Sequence, residues 1–345
     1  MRLARRVVCV MITAAVAWSL HTASASGSLP PRRALLKEGR RHLAYHYYDE
    51  GERIVQRIGS SDHHEAKEIS GVVASRRHVK RTKDGKDSGV LWSHNDSGSA
   101  PYVFALNAST GANVAWFELV DAPSEDWEDI AIGSGPEFGV DYLYIGDFGG
   151  KRRDKMIIRF PEPDLAALRS NGTFDPYDLV PVTDYEVIHF RFPSGKVSDI
   201  ESLTVDPLSG DILIIAKHSS RLDVYVLHQD ASLRVGDEGV NELRLHYSSC
   251  NDAGRTGTSE CEHCRGCTTN TADFNTHVAA DISPSGHGLI VSDYRHVWHW
   301  RRRFLNESFF DSEPTQLPYQ NHHGTEEALC WSADSLGYYV IPEVS

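Results

Sequence analysis

Apolar and polar residues alternate in short runs along most of the chain, and the runs repeat. Four begin with a glutamate: Glu68 in EISGVVAS, Glu128 in EDIAIGSG, Glu201 in ESLTVDPLSG and Glu327 in EALCWSADSLG. Two and four positions on stand Ser70 and Val72, Ile130 and Ile132, Leu203 and Val205, and Leu329 and Trp331. This period of two is that of a strand with one buried face. VAADISPSG, near 278, has the same shape without the glutamate.

A second strand follows each copy: VLWSHNDSG (90–98), LYIGDFGG (143–150), ILIIAKHSS (212–220), LIVSDYRH (289–296) and YYVIPEVS (338–345). Each ends on a polar residue, here aligned as Asp96, Asp147, Lys217, Asp293 and Glu343. Third strands read as YVFALN, MIIRF, DVYVL and HVWHW. Outer strands read as NVAWFEL (113–119), YEVIHFRF (185–192) and LRLHYS (243–248). Repeats of about four short strands predict an all-β chain folded as a β-propeller. Five blades fit the copies, and six is the other count the spacing admits. The fifth copy stops after its second strand, which would leave an open sheet edge. The strand-like segments HLAYHYY (42–48) and ERIVQRI (52–58) are expected to complete it and close the ring. PDLAALRS (163–170) is the one convincing helical run.

The first residues change the picture of where the chain works. MRLARR, the apolar run VVCVMITAAVAWSL and HTASAS have the form of a secretory signal peptide over residues 1–25. Residues 26–41 read as a polar lead-in and 42–345 as one propeller domain with a cysteine-rich insert at 250–267. The expected product is secreted and extracellular, with no membrane span in the mature chain. Four N-x-S/T sequons, at Asn95, Asn107, Asn171 and Asn306, suit an exported glycoprotein. Cys250, Cys261, Cys264 and Cys267 read as a disulfide-stapled loop in an oxidising compartment, with a zinc knuckle as the rival reading. Cys330, inside ALCW, reads as a buried free thiol. The chain has a formal net charge of −13, which becomes −16 when Arg2, Arg5 and Arg6 leave with the leader (−13 − 3). That balance disfavours nucleic acid and suits cations or basic extracellular partners.

HNDSG (94–98), DWEDIA (126–131), LYIGDFGG (143–150), DIESLTVDPLSGDILIIAK (199–217) and TEEALCWSADSLGYYVIPE (325–343) together resemble a family of secreted β-propellers, mostly of unassigned function. More distantly they are similar to phytase-like and gluconolactonase-like propellers. The resemblance spans roughly residues 65–343 and implies fold and export more strongly than activity. Where the family pattern is similar to GDIGDN, this chain has GDFGGK, so Gly150 and Lys151 replace polar residues that could hold a cation or substrate.

The acids supply the candidate chemistry. First strands line a propeller channel, so Glu68, Asp126, Glu128, Asp129, Asp147, Glu201 and Glu327 are expected near one mouth. Converging carboxylates suit Ca²⁺, which takes oxygen ligands from loops. Two other readings stand beside it. Each glutamate could clasp a backbone N–H of the next blade, which regular recurrence favours, or one acid could serve acid–base chemistry, with Lys217 as an anion clamp. The paired histidines His63/His64 and His322/His323 could form a His/Glu site between neighbouring blades, though surface loops suit them better. The functional expectation is a secreted binding or extracellular-matrix-associated protein with a cation at the channel mouth. The alternative is a metal-dependent hydrolase of the phosphoesterase or lactonase type.

Overall fold

The computed structural model describes residues 43–49, 52–79, 89–170, 172–217, 221–230, 232–249, 276–304, 306–319 and 326–342. The signal-peptide reading, the lead-in, the cysteine-rich insert, Asn171, His322/His323 and Glu343 lie outside them. The fold is a β-propeller.

Among the described residues the strands form five sheets. Sheet I holds β3 (Ile69–Ala74), β4 (Val90–Asn95), β5 (Tyr102–Asn107), β6 (Asn113–Leu119) and β10 (Leu179–Val182). Sheet II holds β7 (Trp127–Ser134), β8 (Asp141–Asp147), β9 (Lys155–Pro161), β11 (Glu186–Arg191) and β15 (Asn241–Glu242). Sheet III is β12 (Ile200–Val205), β13 (Ile212–Ala216), β14 (Asp223–Leu227) and β16 (Arg244–Ser248). Sheet IV is β17 (His277–Ile282), β18 (Gly288–Asp293), β19 (Val297–Arg301) and β20 (Thr315–Leu317). Sheet V joins β21 (Glu326–Trp331) and β22 (Gly337–Pro342) to β1 (Leu43–Asp49) and β2 (Glu52–Gly59). There β1 pairs antiparallel with β22, Ala44 opposite Val340 and Tyr47 opposite Gly337. The short helix α1 (Leu165–Arg169) follows β9, capped by the Asp164 carboxylate.

The outer strands read from the alternation are β6, β11 and β16. Three further edge strands escaped it, β10, β15 and the three-residue β20 at the edge of sheet IV. β10 and β15 run parallel to β6 and β11 and are too short, and in β10 too little buried, to print a pattern.

The alternation predicted one buried face per inner strand, yet β3, β12 and β17 are buried along their whole length. Sheets packed face to face explain this: the apolar side chains of neighbouring sheets share a core. Trp92, Phe117, Ile130 and Ile145 form the core between sheets I and II. Phe190, Leu203 and Tyr225 form that between II and III, and Leu213, Ile282 and Trp300 that between III and IV. Leu329, Val340 and Ile290 join IV to V, and Leu91, Phe104, Cys330 and Ile341 join V to I. The inner strands β3, β7, β12, β17 and β21 adjoin in that cyclic order. Small polar residues on these strands are buried too, and they carry the bonds between sheets.

Those bonds run stepwise. Ser70 donates from Oγ to the Glu128 carbonyl at 2.8 Å. Asp129 Oδ2 accepts the Leu203 N–H at 3.0 Å. Thr204 Oγ1 accepts the Ile282 N–H at 3.0 Å, and Asp281 Oδ2 the Trp331 N–H at 2.8 Å. Each satisfies a backbone group that would otherwise be buried without a partner.

Candidate carboxylate site at the channel mouth

Each inner strand carries one irregularity near its start. The register skips a residue between Ile69 and Gly71, Trp127 and Asp129, Ile200 and Ser202, His277 and Ala279, and Glu326 and Ala328. The extra residue of such a bulge leaves the ladder and its side chain is re-aimed. Those residues are Ser70, Glu128, Glu201, Val278 and Glu327, so three of the four aligned glutamates share one structural position.

Glu68 does not share it. Its equivalents are Asp126 and Asp199, as the strand-closing bonds show: Asp96 N–H donates to Glu68 O at 2.7 Å, Phe148 N–H to Asp126 O at 3.1 Å, and Lys217 N–H to Asp199 O at 2.9 Å. The alignment in sequence is off by two, a slip that leaves the period of two intact. The second-strand termini divide likewise. Asp147 and Asp293 end their strands and pair with Trp127 and His277, whereas Asp96 and Lys217 lie one residue beyond.

The glutamate clasp is corrected by the same geometry. Among the described residues no neighbouring-sheet N–H donates to Glu68, Glu128, Glu201 or Glu327. Asp129, Thr204 and Asp281 do that work. Asp129 is buried; its Oδ1 accepts from Ile130 N–H at 2.9 Å and its Oδ2 bridges to sheet III, so it is not free to ligate. Asp147 is likewise committed. Fully buried, it accepts from Glu125 N–H at 3.2 Å and Asp126 N–H at 2.9 Å and pairs with Arg152, whose other arm reaches Glu125 at 2.7 Å. It fixes the loop that carries Asp126.

What remains is a compact cluster. One oxygen each of Asp96, Asp126 and Glu128 lie within 4.8 Å of one another. Gly149 permits this approach: a Cβ there would collide with Glu128 Oε1 and Asp126 Oδ2. The Phe148 and Gly149 N–H groups both donate to Asp126 O, and Lys155 Nζ donates to the Phe148 carbonyl and, at 2.8 Å, to that of Gly150. The Gly149-Gly150 turn is thus the floor of the cluster.

The charges there are poorly compensated. Burial, then Glu201, Asp96 and Asp126, push the Glu128 carboxyl up to about 10. Asp126 is raised by burial and Asp96, and Asp96 by burial and Glu68. The other two bulge glutamates have donors: Lys217 Nζ lies 2.6 Å from Glu201 Oε1, and Tyr294 donates to Glu327 at 2.8 Å. Burial nevertheless brings Glu201 to about 7. Among the described residues no hydrogen bond reaches the Glu128 carboxylate. An all-oxygen set whose carboxyls resist ionising together without a cation suits a hard divalent cation, Ca²⁺ or Mg²⁺, over a transition metal.

Other sequence candidates fall elsewhere. His94 is buried with Nδ1 2.8 Å from Asn95 O, and burial lowers it to about 4. Ser97 is exposed and donates its N–H to Asp96 Oδ1, so HNDSG ends in a turn. Asn95 is buried, bonded to Glu65 O and Lys67 N–H, and is a poor glycan acceptor. Trp127 packs in the core against His94. His63 stacks on Tyr177 and packs at a tilt against Trp116 and Phe104, while His64 is exposed. Cys330 is a buried free thiol. Asp281, Thr204 and Lys155 were missed as polar groups of consequence; the one signal for Asp281 and Thr204 was a polar residue in an otherwise apolar inner strand.

No family model matches. The chain also matches no curated protein in sequence.

Proposed function

We propose that this protein is an exported five-bladed β-propeller of the secreted-propeller kind, acting as an extracellular binding or matrix-associated protein with a divalent cation at its channel mouth. Five sheets with inner strands adjoining in cyclic order support the blade count. The pairing of β1 with β22 supports closure by the N-terminal strands. The leader-like first residues support export. Asp96, Asp126 and Glu128 supply the ligands, and calcium is the cation their chemistry fits first. The observation that carries this is the meeting of their three carboxylates, where among the described residues no hydrogen-bond donor reaches Glu128.

The test is titration calorimetry and thermal melting of the purified protein with Ca²⁺, Mg²⁺, Zn²⁺ and EDTA. Saturating Ca²⁺ should raise the melting temperature, since a ligand of the folded state alone stabilises by mass action. Asp126→Asn and Glu128→Gln should abolish the shift. No stabilisation by any metal removes the cation reading and leaves the fold assignment standing.

A metal-dependent hydrolase of the phosphoesterase or lactonase type is the second reading. It is favoured by Glu201, brought to about 7 beside Lys217, within electrostatic reach of Glu128. A group poised there suits proton transfer to or from a metal-bound water. Turnover of an aryl phosphate or lactone, lost in Glu201→Gln with Ca²⁺ binding kept, would favour it over the binding role.

A further inference from the structure

Beside the channel mouth, on the outer part of sheet II, lies a cleft of about 530 Å³. It opens between the β8–β9 loop, the end of β11 and the segment around Lys196. Its volume falls in the range of small-molecule sites. Five cations line it, Arg152, Arg153, Lys155, Arg191 and Lys196, against two carboxylates, Asp154 and Glu242. The local balance is therefore +3 (5 − 2), on a chain whose net charge is −13.

Not all five are available. Arg152 is committed to Asp147 and Glu125. Arg191 pairs with Glu242 at 3.2 Å, both largely exposed, a contact that holds little energy. Arg153 is exposed and, among the described residues, has no ion-pair partner. Lys196 is held at the rim by the Tyr225 hydroxyl at 3.0 Å and more loosely by Asp223 at 3.7 Å.

Lys155 is the decisive residue. Its side chain is buried at the cleft floor, and its ammonium donates to two backbone carbonyls, Phe148 O and Gly150 O. An ammonium has three N–H donors. Among the described residues no acceptor takes the third, and no carboxylate pairs with it directly. A buried charge left in this state is costly unless an anion joins it. Burial lowers Lys155 to about 8 even though the carboxylates of Asp199, Glu128 and Asp126 act against it from the channel side, and an arriving anion would offset the burial further.

We propose that this cleft binds a small organic dianion, a phosphate monoester or a dicarboxylate, its charged end between Arg153, Lys155 and Lys196 and its apolar body against Val240 and Val197. With Arg152 committed and Arg191 paired to Glu242, the remaining lining is Arg153, Lys155 and Lys196 against Asp154, +2 (3 − 1), which favours a dianion over a monoanion. The exposed apolar surface of Val240 favours an organic ligand over a bare ion.

Calorimetry of the full chain in EDTA, with phenyl phosphate, phthalate and phenol as probes, tests this apart from the cation reading. Phenyl phosphate or phthalate binds, weakens with added salt, and phenol does not bind; whichever dianion binds tighter names the headgroup. The double variant Arg153→Ala/Lys196→Ala weakens binding at least about tenfold, the loss of one charge-assisted hydrogen bond or more. Should that variant melt early, Arg153→Glu, at an exposed position, serves in its place with the same expected loss. Absence of binding by both dianions, equal binding of phenol, or undiminished binding by the charge variants overturns the proposal. Failure of Ca²⁺ to bind leaves it untouched.

Discussion

Glu128 and Glu201 occupy the same bulge position in adjacent sheets, yet their surroundings differ in kind. Both are nearly buried, at 8% and 7% exposure. The difference is made by the residue just past the second strand. In sheet III it is Lys217, whose ammonium reaches Glu201 at 2.6 Å. In sheet II it is Phe148, whose ring turns into the core with Phe190 and leaves Gly149 against the Glu128 carboxylate. One backbone position therefore yields an ion pair in one sheet and an uncompensated acid cluster in the next. What separates structure from candidate site is the partner, not the recurrent glutamate.

Removing that partner should have the largest effect. Lys217→Met leaves Glu201 buried and unpaired and is expected to cost about 3 kcal/mol, read as a lower urea midpoint at pH 8. At pH 5, where Glu201 can hold a proton, the cost should shrink. An unchanged midpoint at pH 8 would show that the ion pair contributes nothing net.

Asp281 gives an intermediate effect and a control lying outside the mouth. Burial raises its carboxyl to about 7, against an ordinary value near 3.8. The folded state then holds the proton more tightly than the unfolded one. Its contribution is fully present below about pH 4 and is lost as pH rises through 7, by on the order of a few kcal/mol. Asp281→Asn keeps an acceptor for the Trp331 N–H and cannot ionise. Its gain in melting temperature over the parent should be larger at pH 8 than at pH 5, and a gain independent of pH would contradict the assignment.

The smallest change sharpens the comparison through its sign. Glu128→Gln replaces a buried carboxyl that, among the described residues, has no donor and that burial keeps protonated at neutral pH when no cation is bound, so it should leave the EDTA-treated protein equally or more stable, by about 1 kcal/mol. Glu201→Gln, which breaks the Lys217 pair, should destabilise. If both variants destabilise alike, the two positions are equivalent and the cluster has no special character.

The strands were legible because alternation reports burial directly, and inner, second and third strands could be read from it. What alternation cannot report is a shift of two residues, and so Glu68 was grouped with Glu128 when its counterpart is Asp126. Nor does it show a bulge, which alone determines that Glu128 leaves the ladder while Asp129 remains in it and bonds to Leu203. The short parallel edges β10 and β15 have too few residues for any period. The acid cluster was legible as surplus charge around Trp127. The three residues that meet were not, because Asp96 comes from sheet I and is brought in by the packing of the two sheets.

The pairing of β1 with β22 has a consequence for how the chain reaches this state. Sheet V is assembled from the two ends of the described sequence, with residues 44–47 hydrogen-bonded to residues 337–340. Every other sheet draws its strands from a narrower window, and can form as its residues emerge during synthesis. The β1–β2 hairpin is made first and acquires its partner last, so until β22 appears one edge of it stands unpaired and open to adventitious strands. Closing a loop that spans nearly the whole domain is entropically slow. Completion of the ring should therefore be the late step of folding, and the stage at which the chain is most exposed to aggregation.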